Sequence, residues 1–520
     1  MVSLNNSNPV SKIISMKRLL FSTVIITGIL LTSCSKKTPS FVNCIPDDAI
    51  AVVSLHPMHL HTKGKLNSFE SLKEKVRDEV WSQVLENPLS TGLMMDEYVY
   101  VFGKMEEEGL VIGVISGMKD MEKFEATLSK IKEDIRSEYK TGEAYTYIQT
   151  DEEGVIAWND EQMIVLASPD QKELDTGYFT GMLDWMFNPV KEESITSLVN
   201  FREFLGEMKD LNVWISSDDM RAIIEQLSPE EMQIELPVEL YNNYAQVFVD
   251  FADGSMNING ETFFSEEVEK NVEQFLVMNP TLNEEMLKMA PGENLLLAVS
   301  GSMDMEKLRE MISRFDPPQL DSIGDKVEEV TGIPGEQMLD AFTGDFTISV
   351  NSMEGEAMIP VEIFLGFGVN SEVIQEKLMA KVESMAPVED EGDFFIINLQ
   401  GNEIYSGIIN DMWVITNSKG YKDEVQDGVH GASLVKSRFN DFSDGSVGMY
   451  MNLDLSSYPS MVQDLLGQKP EQEQWVKQVT EPFDYMGFSS SNYRTQFILK
   501  TNTPSENSLY TIVKLADSAE

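Results

Sequence analysis

Apolar and polar residues alternate along many short segments of this chain, and a period of two residues is typical of β-strands with one buried face. The runs at 155–158 and 164–167 are short and apolar, and turn-forming residues such as Asp151–Gly154 bound them. Pairs of such runs predict antiparallel hairpins. A spacing of three or four residues recurs over Ser68–Leu85 and predicts an amphipathic helix. Hairpins mixed with helices predict an α+β fold.

Local motifs predict where some of these elements turn or begin. Asn159-Asp160 and Asn410-Asp411 each lie between two strand-like runs, so each predicts the turn of a hairpin. Thr503 is followed by Pro504 and then Glu506, an arrangement that supplies a capping hydroxyl, a first-turn proline and an acid. We expect a helix to begin there.

The order of the predicted elements repeats along the chain. When Pro46 is placed on Pro291, a proline, an acid, a strand-length apolar run and a helix start coincide in the two segments. Similar matches follow in the same order with small shifts. The sequence therefore predicts two homologous α+β halves, 45–280 and 281–520, each with a mainly antiparallel sheet and packed helices.

The N-terminus has the three regions of a bacterial lipoprotein signal peptide. Lys17 and Arg18 form a positive start, and Leu19–Leu31 is an apolar run. That run is shorter than the roughly 20 residues of a membrane-spanning helix. It ends in Leu31-Thr32-Ser33-Cys34, which resembles a lipobox, where small side chains precede the cysteine that accepts the acyl chain.

This pattern predicts an exported, lipid-anchored protein. We expect residues 1–33 to be the signal peptide, with Met16 as the true start, and Cys34 to carry the lipid, including palmitate. Residues 34–44 are expected to form a tether. Cys44 is then the single free thiol, so no internal disulfide can form, and we expect it to pack as a small apolar side chain.

The charge of the chain restricts its partners. Asp and Glu number 87 against 39 Lys and Arg, which gives a formal net charge of −48. Nucleic-acid phosphates repel such a polyanion, so nucleic acid is excluded as a partner. The acids are dispersed, as on a solvated surface, and attraction for divalent cations is the alternative interpretation.

The stretch Ile45-Pro46-Asp47-Asp48-Ala49, together with the lipobox before it, resembles a family of uncharacterised Bacteroidetes lipoproteins, domain of unknown function 4836. The resemblance covers about residues 34–520. It implies an outer-membrane lipoprotein and supplies no catalytic residues. Surface-exposed lipoproteins of these bacteria carry acidic residues after the lipidated cysteine. Here Ser35-Lys36-Lys37 follow Cys34, which favours the periplasmic face over the cell surface.

Three of the four histidines lie close together, and imidazole is a common transition-metal ligand, so His56, His59 and His61 are the candidates for a metal site. Their spacing argues against a shared metal, because neither a strand nor a helix presents all three on one face. At the corresponding position of the second half, Asp304 precedes a predicted helix as a capping residue. We therefore favour a polar helix start and expect no metal and no cofactor.

Hydrolytic chemistry has few candidate residues. In Gly113–Gly117 the serine stands one position late for a nucleophile elbow, and His430 is the single histidine outside the N-terminal cluster. A catalytic carboxylate pair stays open as an alternative, because so many acids single out no pair. The sequence assigns no catalytic residue.

Three functions follow as hypotheses. We favour an envelope-anchored lipoprotein that acts as a non-catalytic binding or scaffolding module, with a cleft for a protein or glycan partner. The alternative is an envelope hydrolase for peptides or glycans, which requires two converging acids in a pocket, at least one with a raised pKa. Binding of divalent cations is the third, and it predicts a melting temperature that rises with calcium.

Overall fold

In a computed structural model of the protein, the described residues are 39–71, 85–106, 109–131, 138–150, 154–168, 176–217, 243–273, 276–315, 328, 331–353, 360–371, 373–399, 401–426, 431–466 and 476–518. The predicted signal peptide, Cys34 and His430 lie outside these residues, as does most of the helix predicted over Ser68–Leu85. Among the helices that are described, none is long and apolar enough to cross a membrane.

Twenty β-strands occur in the described residues. In chain order they are β1 (Ala51–Leu55), β2 (Val99–Glu106), β3 (Gly109–Gly117), β4 (Lys140–Thr141), β5 (Thr146–Gln149), β6 (Gly154–Trp158), β7 (Gln162–Ala167), β8 (Leu211–Ser216), β9 (Tyr244–Ala252), β10 (Ser255–Phe263), β11 (Leu295–Ser302), β12 (Phe342–Ser352), β13 (Val361–Val369), β14 (Val388–Asp390), β15 (Phe394–Leu399), β16 (Asn402–Ile409), β17 (Met412–Thr416), β18 (Val447–Asn452), β19 (Phe483–Ser490) and β20 (Arg494–Thr501).

These strands form one sheet in which every pairing is antiparallel. From edge to edge the order is β14-β15-β16-β17-β13-β12-β11-β18-β19-β20-β10-β9-β8-β1-β2-β3-β7-β6-β5-β4. Both edge strands are short, with three residues in β14 and two in β4. Short edge strands offer little backbone for pairing with another chain.

The predicted fold class, α+β with two homologous halves that each carry a sheet, is wrong. The sheet runs through the molecule without a break, because Ser255–Glu261 of β10 pair with Arg494–Lys500 of β20. Two strand edges with free N–H and C=O groups gain hydrogen bonds when they lie side by side. The alternation of apolar and polar residues within one strand does not indicate which distant strand will pair with it. The fold is mainly β, a single sheet with helices packed on it.

Twelve α-helices accompany the sheet in the described residues. They are α1 (Pro57–Gly64), α2 (Met121–Ile131), α3 (Thr176–Phe187), α4 (Val199–Glu207), α5 (Glu266–Val272), α6 (Glu284–Met289), α7 (Met305–Phe315), α8 (Gly335–Ala341), α9 (Val373–Glu383), α10 (Lys419–Gln426), α11 (Ser460–Leu466) and α12 (Ser508–Ser518).

The helix starts follow the expected capping chemistry in part. Asp304 caps α7, since its Oδ1 accepts hydrogen bonds from the N–H groups two and three residues later, at 3.0 and 3.1 Å. The helix predicted to begin at Thr503 begins instead at Ser508. There the side chain of Asn507 accepts the N–H of Leu509 at 3.1 Å, so the capping residue is the asparagine.

Two large apolar clusters lie against the sheet. In the first, the Trp214 ring of β8 meets Phe201 of α4 edge-on, with centroids 5.4 Å apart. In the second, Phe442 covers Gly487 of β19. A Cβ atom at Gly487 would lie 2.0 Å from the Phe442 ring, so only glycine allows this approach. The contact fixes β19, and with it the neighbouring strand β20.

Candidate functional site

The predicted histidine cluster lies where β1 ends and α1 begins. His56 caps α1, and its Nδ1 accepts a hydrogen bond from the backbone N–H of His59 at 3.3 Å. The His56 and His59 rings stack with centroids 3.5 Å apart. His61 points elsewhere, with its Nε2 2.8 Å from the carbonyl oxygen of Leu85. The three imidazoles do not converge, and the site is a polar helix start.

Asp210 completes this cluster, although sequence reasoning did not find it. Its side chain is 2% exposed and lies 2.6 Å from Lys63 Nζ and 3.5 Å from His59 Nδ1. It also accepts the backbone N–H of Phe251 at 2.8 Å, while Lys63 reaches Asp250 at 3.3 Å. A buried carboxylate needs such partners, so this network fixes α1 to the sheet. No pattern in the sequence links residues so far apart.

Cys44 lies in a short 3₁₀ helix, Ser40–Cys44, which packs into the first core. Its Sγ accepts a hydrogen bond from Gln162 Nε2 at 3.0 Å. Burial raises the pKa of the thiol to about 12. The thiol therefore stays protonated and unreactive at neutral pH, and it packs as a small apolar side chain as expected.

A small cavity of about 180 Å³ lies beside β13 and α10 and contains several carboxylates. We call it the acid cavity, and its charged and hydroxyl-bearing lining residues are Lys288, Glu293, Glu362, Ser418, Tyr421, Glu424 and Ser433. Strand β13 supplies Glu362, and α10 supplies Tyr421 and Glu424. The sequence did not single out any of these acids.

Glu362 is the chemically distinctive group of the acid cavity. Burial raises its pKa, a hydrogen bond with Ser418 opposes the rise, and the charge of Glu424 adds to it. Asn351, which is buried behind it, donates to Glu362 Oε2 at 3.4 Å. A carboxyl group with a raised pKa beside a second carboxylate in one cavity is an arrangement that acid–base catalysis can use.

A larger, open cleft of about 650 Å³ lies beside the pairing of β10 with β20. We call it the strand-junction cleft. It is bounded by segments far apart in the chain, namely the end of α4, β10, the loop before β18 and the β19–β20 hairpin. Six of its fifteen lining residues carry amide or aliphatic hydroxyl side chains, and they are Asn259, Ser489, Ser491, Asn492, Thr495 and Gln496.

The charged and aromatic side chains of the cleft determine its electrostatic character. Glu261 and Arg494 face each other across the strand pairing, with Arg494 Nε 2.9 Å from the Glu261 carboxylate. Asn492 Oδ1 is buried and has no hydrogen-bond partner among the described residues. Burial raises the pKa of Tyr493, whose ring meets Phe264 edge-on at 5.8 Å, so its phenol is neutral at neutral pH. Glu207 and Asp444 also line the cleft, so it combines neutral hydrogen-bonding groups with an excess of negative charge.

Comparison with known proteins identifies the family. A family model described as "Domain of unknown function (DUF4836)" matches residues 41–509. The chain belongs to the DUF4836 family. This confirms the family resemblance carried by Ile45–Ala49, and the family description names no activity or ligand.

Solved structures add little to the DUF4836 assignment. The chain is similar to TP0453 in crystal form I at 10% identity and a TM-score of 0.28, and in crystal form III at 10% and 0.27. Each comparison covers 48% of this chain and 90% of TP0453. TM-scores this low establish no common fold, so nothing is transferred from TP0453. No curated protein matches the sequence.

Proposed function

We propose that this DUF4836 protein is an envelope-anchored lipoprotein whose folded body is a non-catalytic binding module, with the strand-junction cleft as its binding site. The cleft itself is the observation that supports this function. It is concave, open to solvent and lined by convergent hydrogen-bonding groups, as ligand sites are. Its volume of about 650 Å³ can hold several sugar or amino-acid units.

The floor of the cleft is held by backbone pairing on both sides of β20. Seven residue pairs join β20 to β10, and seven join it to β19. Packing of Phe442 on Gly487 fixes β19 in turn. A site held in this way loses little conformational entropy when a ligand binds, which favours affinity.

The anchor is the second part of the proposal. The lipobox ends at Cys34, and the buried helix Ser40–Cys44 already belongs to the folded body. Residues 35–39 separate Cys34 from this helix, and six steps of at most about 3.5 Å each would keep the body within roughly 20 Å of the membrane. We place it at the outer membrane, with the periplasmic face favoured by Lys36 and Lys37.

The two cysteines provide a matched test of the anchor. Cells that express the Cys34→Ala or the Cys44→Ala protein are fed an alkyne analogue of palmitate, and incorporation is measured on a gel. We expect Cys34→Ala to lose the label and the membrane association, and Cys44→Ala to keep both. Equal labelling of the two proteins would refute lipid attachment at Cys34.

A photocrosslinker tests the binding site in cells. Asn259→benzoylphenylalanine places the reactive group in the cleft, and Asn188→benzoylphenylalanine places it on an exposed surface elsewhere. The proposal predicts a defined ultraviolet-dependent adduct with an envelope component from position 259 and none from position 188. The same adducts from both positions, or none from position 259, would count against a binding role of the cleft.

One observation favours a second candidate function, an envelope hydrolase. The raised pKa of Glu362 and the nearby charge of Glu424 meet the requirement for an acid–base pair. If the acid cavity is catalytic, the protein hydrolyses a peptide or glycan substrate and Glu362→Gln lowers kcat by at least about 100-fold. Glu285→Gln, at an exposed acid outside the cavity, should leave kcat unchanged.

A further inference from the structure

We propose that the strand-junction cleft binds an uncharged, hydroxyl-rich chain, that is, an oligosaccharide. This inference rests on the binding function proposed above and names the ligand class. Sugar hydroxyls donate and accept hydrogen bonds at the same time. Amide and hydroxyl side chains are their natural counterparts because they also do both.

One wall of the cleft consists of hydrogen-bonding side chains. At the β19–β20 hairpin this wall contains serine, asparagine, threonine and glutamine around a single tyrosine and a single arginine, whereas the three acids of the lining, Glu207, Glu261 and Asp444, come from other segments. The hairpin wall therefore offers a ligand mainly hydrogen bonds.

Asn492 supplies a specific contact point. Its Oδ1 is buried without a donor among the described residues, and an unsatisfied buried oxygen is costly. A ligand hydroxyl that donates to this oxygen would remove that cost. The adjacent Tyr493 also lines the cleft, and aromatic rings pack against the apolar face of a pyranose.

Charge disfavours anionic ligands. Arg494, the cationic side chain among the lining residues, is already paired with Glu261. Glu207 and Asp444 add negative charge, and the chain as a whole carries −48, so phosphates and uronic acids are repelled. The same charge makes a basic peptide the competing ligand, and the hydrogen-bonding hairpin wall is the feature that favours an oligosaccharide. Carboxylates can in addition accept hydrogen bonds from neighbouring sugar hydroxyls.

Saturation-transfer NMR on the full-length protein in detergent micelles tests the ligand class. The probes are maltohexaose, cellohexaose and chitotetraose, with hexalysine as the basic peptide. We expect at least one oligosaccharide to bind and hexalysine not to bind. Asn492→Ala should weaken the oligosaccharide by about fivefold to tenfold, since one hydrogen bond is lost.

Two glutamines provide the matched control for the location. Gln496 pairs with Asn259 across the two strands and lines the same cleft, so Gln496→Trp fills the cleft with its ring. Gln426→Trp makes the same change at an exposed position outside the cleft. We expect Gln496→Trp to abolish oligosaccharide binding and Gln426→Trp to retain it.

The outcomes separate the ligand class from the binding function. If hexalysine binds in place of the sugars, or if no probe binds, the oligosaccharide proposal is overturned, while the crosslink from Asn259 still decides whether the cleft binds a partner. If the oligosaccharide binds the Gln496→Trp protein as tightly as the unmodified one, the cleft is not the sugar site.

Discussion

Two concave regions of this molecule differ in size and in chemistry. The acid cavity measures about 180 Å³ and encloses Glu362, a carboxyl group whose pKa is raised by burial. The strand-junction cleft measures about 650 Å³, is open, and is lined by amides and hydroxyls together with three acids and one arginine. Perturbed pKa values mark catalytic sites, but burial beside a core perturbs them as well. The comparison teaches that the site with the most distinctive titration need not be the site with room for a ligand.

The largest predicted difference between the two regions is the stability lost when a methyl group is added to a glycine beside each of them. Gly487→Ala, under the floor of the cleft, drives a Cβ atom into the Phe442 ring and should destabilise the protein by about 3 kcal/mol. Gly431→Ala, at the acid cavity, meets the movable carboxylate of Glu424 at 3.1 Å and should cost less than about 0.5 kcal/mol. Urea unfolding of both variants measures the difference, and equal losses would show that the cleft floor is no more rigid than the cavity.

A smaller effect should distinguish the acid cavity by pH. Because burial raises the pKa of Glu362, the folded protein binds this proton more tightly than the unfolded chain does. Stability should then fall as the pH rises from the unfolded-state pKa through the folded-state pKa. The Glu362→Gln protein lacks this pH-dependent loss of stability. It should be more stable than the unmodified protein by about 1 kcal/mol at about pH 8.

Thermal unfolding at about pH 5 and pH 8 measures this dependence. Glu285→Gln, which removes an exposed acid, serves as the control and should keep the pH dependence of the unmodified protein. If Glu362→Gln and the unmodified protein lose the same stability between the two pH values, Glu362 is not the group responsible.

The smallest effect is expected at the ion pair of the cleft. Arg494 is 77% exposed and Glu261 is 32% exposed, so water and salt screen their attraction. Arg494→Gln should change the free energy of unfolding by less than about 1 kcal/mol. Isothermal unfolding at low and high salt checks this, and a larger, salt-independent loss would mean that the pair holds β10 to β20.

The sequence predicted the local elements better than their assembly. Asn410 and Asp411 have φ angles of 52° and 60°, as the tight turn predicted between β16 and β17 requires. Asn159 also forms a turn, but by accepting the N–H groups of Glu161 and Gln162, each at 3.0 Å. Turn chemistry is written in neighbouring residues, so it can be recognised without the fold.

The sheet and the cleft could not be predicted in the same way. Arg494 and Glu261 are 233 residues apart, and no periodicity in either strand specifies the other. Asn492 and Tyr493 lie in an ordinary-looking hairpin turn, and their role depends on residues that distant segments bring beside them. The acidic pair at Glu362 was likewise hidden among 87 similar residues, because burial alone distinguishes it.

Crosslinking from position 259 in cells, measured in three backgrounds, tests the central claim most directly. The backgrounds are the otherwise unmodified protein, Gln496→Trp in the cleft and Glu362→Gln in the acid cavity. Since the cleft is proposed to bind the partner, the adduct should disappear with Gln496→Trp and persist with Glu362→Gln. An adduct that survives Gln496→Trp, or that is lost with Glu362→Gln, would contradict the assignment of binding to the strand-junction cleft.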